Sequence, residues 1–160
     1  MDVIIMPSTT SILLDLKSKF PQFKFEPGDN FAWSSSDNVI YYDEKSPDLS
    51  LLLLHELSHA LLGHDKYDRD IELITIERKA WDKTAELAPS FNIKVSEELV
   101  QSTMDSYRDW LHARSSCPKC HSTGLQTDKN AYHCPVCGNN WLVNEAKTCA
   151  LRRYQTKKRT

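Results

Sequence analysis

Four cysteines near the C-terminus form two Cys-x-x-Cys pairs, with thirteen residues between the pairs. The first residues, Met1 to Pro7, lack the basic and long apolar regions of a signal peptide, so we expect a cytoplasmic protein. Thiols stay reduced there, and paired cysteines then indicate metal binding rather than disulfides. Two such turns can place four thiolates tetrahedrally around zinc. We therefore predict a structural zinc site with the ligands Cys117, Cys120, Cys134 and Cys137.

The segment around these cysteines, residues 115–150, is predicted to be a β zinc ribbon. A module of this size has too small a core to fold unaided, so its metal should supply the folding energy. Cys149 stands outside both pairs and is expected to be an ordinary thiol.

A second motif, His55-Glu56-Leu57-Ser58-His59, lies in a leucine-rich run that predicts a helix ending near Gly63. Residues four apart share one face of a helix, so His55 and His59 can direct two imidazoles at one metal ion. Glu56 would lie beside that ion, where a carboxylate can act as general base. A His-Glu pair in so apolar a helix is unfavourable without a metal or partners. The motif therefore predicts a catalytic zinc site.

A catalytic zinc needs a third protein ligand, and the sequence leaves three candidates open. They are His64, Glu72 and Glu77. His64 follows His59 one residue too early for the metzincin pattern. Glu77 is preferred because it lies on the next predicted helix, from about Arg69 to Leu87, where the small Ala80 and Ala85 would let two helices approach closely.

The run Leu54–His64, together with the later Glu77-x-x-Ala80-Trp81, resembles the ImmA/IrrE family of metallopeptidases over roughly residues 8–90. These are small gluzincin-like proteins with an H-E-x-x-H motif and a downstream E-x-x-A motif. The resemblance implies that His55, His59 and Glu77 bind zinc, that Glu56 is the base, and that regulatory proteins are the substrates. Trp81 stands where the family commonly has Asp or Asn.

The predicted fold is α+β. A zincin-like domain over residues 1–114 should contain an N-terminal helix, a short β-sheet, the His-Glu helix and further helices, followed by the ribbon and a basic tail, residues 151–160. Asn38–Tyr42 is predicted to be an edge strand with which an extended substrate could pair. Tyr41, Tyr42 and His64 are candidate substrate or oxyanion contacts.

Charge is unevenly distributed along the chain. Residues 1–110 carry 11 Lys+Arg against 20 Asp+Glu, whereas residues 111–160 carry 9 against 2. This asymmetry suggests two modules with different partners: a protein substrate for the first, and nucleic acid or an acidic protein for the basic ribbon and tail. No segment approaches the roughly 18 apolar residues of a membrane span, so no membrane partner is expected.

Three functions remain open from the sequence. The first is a zinc-dependent endopeptidase with a ribbon that docks substrate or nucleic acid. The second is a protease similar to the SprT-like enzymes, which also pair H-E-x-x-H with a ribbon, act on DNA-bound proteins and use a downstream histidine as third ligand; His112 is the one histidine between His64 and the ribbon. The third is a non-catalytic zinc-binding adaptor or DNA-binding regulator.

Overall fold

The computed structural model describes residues 8–144 and the backbone of residues 153–155. Within these residues the chain forms four α-helices and two small β-sheets, which confirms the α+β class. The predicted basic tail lies outside the described residues apart from one short strand, and Cys149 lies outside them altogether. Between residues 8 and 144, none of the helices combines the length and apolar character needed to cross a bilayer.

The chain divides into two compact units. The first comprises Met1–Lys66 with Ile76–Glu97, and the second comprises Tyr67–Thr75 with Glu98–Thr160. Helix α3 (Asp70–Leu87) therefore contributes residues to both units. Because a grouping by proximity does not test independent folding, the predicted domain bounds of 1–114, 115–150 and 151–160 stay a prediction.

In the first unit, two helices accompany a three-stranded sheet. The elements are α1 (Thr9–Lys19), β1 (Lys24–Pro27), β2 (Ala32–Ser34), β3 (Val39–Tyr42) and α2 (Leu49–Leu61). Strand β3 pairs in parallel with β1 and antiparallel with β2, so the strand order is β1-β3-β2. The prediction that Asn38–Tyr42 forms an edge strand is therefore wrong. Both sides of β3 already carry main-chain partners, and the free edges belong to β1 and β2.

The core of the first unit lies between α1, the sheet and α2. Leu49, Leu53 and Leu57 recur every fourth residue, so they form one face of α2, and all three are buried. That face packs with Ile12 and Leu16 of α1 and with Phe25, Ile40 and Tyr42 of the sheet. A different face of the same helix carries the buried polar residues His55, Ser58 and His59.

The second unit contains helix α4 (Glu97–Ser115), apart from its first residue, and an antiparallel sheet in the order β4-β5-β6-β7. The strands are β4 (Leu125–Asp128), β5 (Ala131–His133), β6 (Asn140–Val143) and β7 (Arg153–Gln155). Trp141 is fully buried, stacks on Tyr132 and donates its indole N–H to the carbonyl of Arg114 at 3.0 Å. A Cβ at Gly124 would lie 2.2 Å from the Trp141 ring, so this position admits only glycine.

A buried polar network joins the start of α3, the end of α4 and strand β5 within the second unit. The Arg114 Nε donates to Asp70 Oδ2 at 2.6 Å, and the Tyr132 hydroxyl donates to the same oxygen. Arg114 Nη2 also donates to Asn130 Oδ1 at 3.0 Å. Burial and the hydrogen bond to Asp70 raise the pKa of Tyr132, which holds its hydroxyl protonated as a donor. The network pairs every charge that it buries.

Replacing Arg114 by methionine is expected to destabilise the protein by about 3–5 kcal/mol, because the Asp70 carboxylate would stay buried without its cation. Chemical denaturation monitored by tryptophan fluorescence, to which the buried Trp141 contributes, measures this loss. Arg108→Met is the matched control, since Arg108 forms an exposed pair with Asp105, and it should change stability by less than about 0.5 kcal/mol. Equal effects of the two changes would show that the buried pair is not important for stability.

Candidate metal centres

Three potential ligand residues converge where α2 packs against the part of α3 that belongs to the first unit. His55 Nε2 lies 3.1 Å from His59 Nε2 and 3.1 Å from Glu77 Oε2, and His59 Nε2 lies 3.4 Å from Glu77 Oε1. Tetrahedral ligands about 2.0 Å from zinc are about 3.3 Å from one another. All three side chains are buried. This group, here called the donor triad, is therefore spaced to hold one metal ion.

The charge of the donor triad also fits a divalent cation. Burial by itself would raise the pKa of Glu77, but hydrogen bonds with His55 and His59 bring it down to about 2. A buried ionised carboxylate must be paired or coordinated. Two imidazole nitrogens and one carboxylate oxygen form the His₂Glu donor set found at catalytic zinc sites. The residues present therefore fit zinc.

Small side chains and buried hydroxyls set the contact between α2 and α3 that creates the triad. Ser58 and Thr84 are fully buried, and their hydroxyl oxygens lie 3.0 Å apart. Ala80, one turn before Thr84, is fully buried as well and accepts a hydrogen bond from the Thr84 hydroxyl at 2.7 Å. This close contact places Glu77 beside His55 and His59, although Glu77 follows them by 22 and 18 residues in the sequence.

Glu56 is half-buried and lies beside the donor triad without belonging to it. Burial raises the pKa of Glu56, while the neighbouring His55 and His59 act to lower it. The backbone N–H of Trp33 in β2 donates to the Glu56 carboxylate. Strand β2 thus contacts the carboxylate of Glu56 through its main chain.

The other two candidates for the third ligand have different partners. His64 Nδ1 lies 2.9 Å from His59 Nδ1, on the opposite side of the His59 ring from the nitrogen that faces Glu77. Burial lowers the pKa of His64, and the nearby His59 lowers it further. In the second unit, Glu72 Oε2 accepts from the backbone N–H groups of Asp68 and Arg69 at 3.0 and 3.3 Å. His64 therefore orients a triad histidine, and Glu72 caps the start of α3.

The two tyrosines suggested as substrate or oxyanion contacts lie on opposite faces of β3. Tyr42 is buried in the core with Ile40. Tyr41 is half-buried and lies near Gly28. A Cβ added at Gly28 would be 3.7 Å from the Tyr41 side chain. No hydrogen bond described for either tyrosine reaches the donor triad, so their predicted role gains no support from the geometry.

One contact of the triad had no counterpart in the sequence patterns. The indole of Trp81 stacks on the imidazole of His55, with ring centroids 4.0 Å apart and an interplanar angle of 24°. The sequence patterns included Trp81 only as the residue that follows Glu77-x-x-Ala80. Its position four residues after Glu77, one helical turn along α3, is the signal that could have placed it beside the ligands.

The four paired cysteines of the second unit form a separate group. Cys117 Sγ lies 3.7 Å from Cys137 Sγ, Cys120 Sγ lies 3.5 Å from Cys134 Sγ, and all four sulfurs are within 4.8 Å of one another. Thiolates about 2.3 Å from a tetrahedral zinc are about 3.8 Å apart. Hydrogen bonds from Ser122 lower the pKa of the Cys120 thiol to about 6. A hydrogen bond from the Asn139 backbone lowers the pKa of the Cys137 thiol, but burial and the three neighbouring thiols together raise that pKa to about 11, so the four thiols do not all favour the thiolate in the absence of a metal. The distances between the four sulfurs fit a closed zinc site.

Comparison of the chain with protein-family models, curated proteins and solved structures finds no match. The two donor groups are consequently the features that indicate what this protein can do. One group offers three ligands and has a further carboxylate beside it, whereas the other offers four thiolates. Zinc sites with three protein ligands can leave a coordination position for a reactant, and sites with four serve structure.

Proposed function

We propose that this protein is a zinc-dependent endopeptidase with a zincin-like first unit and a structural zinc ribbon in the second. The observation that carries the proposal is the donor triad of His55, His59 and Glu77, with atoms 3.1–3.4 Å apart and Glu56 beside it. The resemblance of the same motifs to the ImmA/IrrE metallopeptidases supports this assignment and favours a regulatory protein as substrate.

The residues around the donor triad could each take a separate role in peptide hydrolysis. Bound zinc would supply a Lewis acid that polarises a carbonyl and lowers the pKa of water. Glu56 would take a proton from the attacking water and pass it to the leaving amine. The Trp33 N–H would hold the Glu56 carboxylate in one orientation, and His64 would fix the orientation of His59.

An extended substrate segment would bind along β2. This strand is one of the two free edges of the sheet, and the Trp33 N–H in its middle hydrogen-bonds the Glu56 carboxylate, so the edge lies beside the proposed base. Main-chain hydrogen bonds to such an edge select extended, unstructured segments. The proposed substrate is therefore a flexible segment of a protein.

The second unit would supply docking through its ribbon and the basic segment that follows. The partner would be the protein substrate itself or nucleic acid near it. A SprT-like protease acting on DNA-bound proteins needs a downstream histidine as third ligand, and the triad contains Glu77 in that place. If the zinc-loaded protein cleaves no substrate, the non-catalytic adaptor becomes the favoured function.

The first test is the zinc content per chain of the wild type, of His55→Ala and of Cys117→Ser. Two zinc ions in the wild type and one in each variant are expected, because the ligands form two separate groups. The second test is hydrolysis of a fluorescently labelled, reduced and carboxymethylated protein, with and without 1,10-phenanthroline. Wild type should cleave this unfolded probe, and His55→Ala and the chelated protein should not.

The two measurements separate the alternatives. A single zinc ion that is lost only in Cys117→Ser would contradict a metal site at the donor triad. Two zinc ions without any cleavage would contradict the peptidase and favour the adaptor. Cleavage that survives both His55→Ala and the chelator would show a contaminating protease.

A further inference from the structure

The two triad histidines are oriented in different ways. The ring nitrogen of His59 that does not face Glu77 lies 2.9 Å from His64 Nδ1. The corresponding nitrogen of His55, Nδ1, is buried and has no hydrogen-bond partner among the described residues. Metal-binding histidines almost always donate this second N–H to a carboxylate, carbonyl or water, which fixes the ring and raises its basicity. No carboxylate or carbonyl of the described residues therefore orients the His55 ring through this nitrogen.

The contact that does fix the His55 ring is aromatic. Trp81 is buried on α3, one turn beyond Glu77, and its indole covers the His55 imidazole at 4.0 Å between centroids. Its own Nε1 is likewise buried without a partner in the described part of the chain, so the indole is held by packing and by the stack. An aromatic ring at this position can restrict the imidazole without accepting a proton from it.

The stack also has an electrostatic consequence when a metal binds. An imidazole that donates its Nε2 lone pair to a divalent cation becomes electron-poor, and the face of an indole is the most electron-rich surface among the aromatic side chains. The attraction between the two rings is therefore stronger in the metal-bound state than in the metal-free state. Any interaction that differs between the two states contributes to metal affinity.

We propose that Trp81 is a positioning residue for the metal at the donor triad, acting through its stack on His55 in place of the usual hydrogen bond. The proposal rests on the zinc site of the proposed function, and goes beyond it by assigning a role to a residue that is not a ligand. The aromatic face, rather than the volume or the N–H of the indole, carries the role.

The test is zinc affinity in a graded series at position 81, measured on the full chain by competition with a chromophoric chelator. Trp81→Leu removes the aromatic face and should weaken zinc binding at the triad about tenfold. Trp81→Phe keeps a face with a weaker quadrupole and should weaken it less, about threefold. The affinity of the four-cysteine site should not change in either variant, and it serves as internal control.

Tryptophan fluorescence of the wild type tests whether the stack of Trp81 on His55 responds to zinc at the triad. Adding zinc to protein that is loaded only at the cysteine site should change the tryptophan emission, because Trp81 stacks on a ligand. This change should shrink in Trp81→Phe and persist in Trp110→Phe, a matched replacement in α4 of the second unit. It should be absent in His55→Ala.

The outcomes distinguish this inference from the proposed function. If wild type binds zinc at the triad and both Trp81 variants bind it equally well, the inference is overturned and the metal site stands. If wild type binds no zinc at the triad, both are overturned. If Trp81→Leu does not fold, Trp81→Phe decides: an unchanged zinc affinity at the triad would still overturn the role of Trp81.

Discussion

Replacing Glu56 by glutamine is expected to slow cleavage by about 10²–10⁴-fold while leaving both zinc ions bound. Glutamine has the same shape and can still accept the N–H of Trp33 through its amide oxygen, so the geometry beside the triad should persist. It cannot accept a proton from water. Loss of a general base typically lowers the rate by 10²–10⁴-fold. The measurement is kcat/KM on the unfolded labelled probe, together with zinc content per chain.

The control for this change is Glu86→Gln. Glu86 lies on α3, and its exposed carboxylate pairs with Lys83 at 2.8 Å. That variant should retain full activity and both metal ions. Full activity in Glu56→Gln would contradict the proposed mechanism. Loss of the triad zinc in this variant would instead indicate that Glu56 is a metal ligand.

The parts of the site that could be predicted from the sequence depend on local spacing. The four-residue step between His55 and His59 is a property of any helix, and the leucines around them predict that this helix is buried. The cysteine spacing likewise predicts a tetrahedral thiolate group, because each pair needs only a tight turn. In both places the structure brings together the atoms that the spacing indicates.

The third ligand could not be identified from local spacing in the sequence. Glu77, His64 and Glu72 were all compatible with the chain, and the choice depends on how α3 packs on α2. The small Ala80 was a clue in the sequence, but the buried contact between Ser58 and Thr84 was not, because serine and threonine are ordinarily exposed. The stack of Trp81 on His55 follows from the same packing, and the helical step from Glu77 to Trp81 indicates it only once Glu77 is known to be the ligand.

Pairings between distant segments explain the remaining differences. Strand β3 was predicted to be an edge strand because its antiparallel partner β2 directly precedes it and no local signal indicates a second partner. That second partner is β1, which lies before β2 in the sequence and pairs with β3 in parallel. The buried pair of Asp70 and Arg114 spans 44 residues, and that of Asp70 and Tyr132 spans 62. In the sequence alone, Asp70 and Arg114 resemble the charged residues of an exposed helix surface.

Removing the metal from the four cysteines is expected to unfold the sheet of the second unit. The buried core around these cysteines consists of Tyr132, Trp141, Val143, Cys117 and Cys134, so ligands form part of its apolar interior. Structural zinc in finger-sized modules contributes about 10–16 kcal/mol of binding free energy, which is also folding free energy. Without zinc, the three apolar side chains Tyr132, Trp141 and Val143 cannot offset the entropy of ordering the strands and the two knuckles.

The measurement is tryptophan emission and amide hydrogen exchange in Cys117→Ser, with Cys149→Ser as the matched control. Emission should shift to the red as Trp141 becomes exposed, and amides of β5 and β6 should lose protection together. Cys149→Ser should behave like wild type because that cysteine stands outside both pairs. Tyr132 lies two residues before Cys134 and donates to Asp70, so protection at the start of α3 should fall with that of β5. Retained protection in β5 would show that the buried network around Asp70, not the metal, holds this sheet.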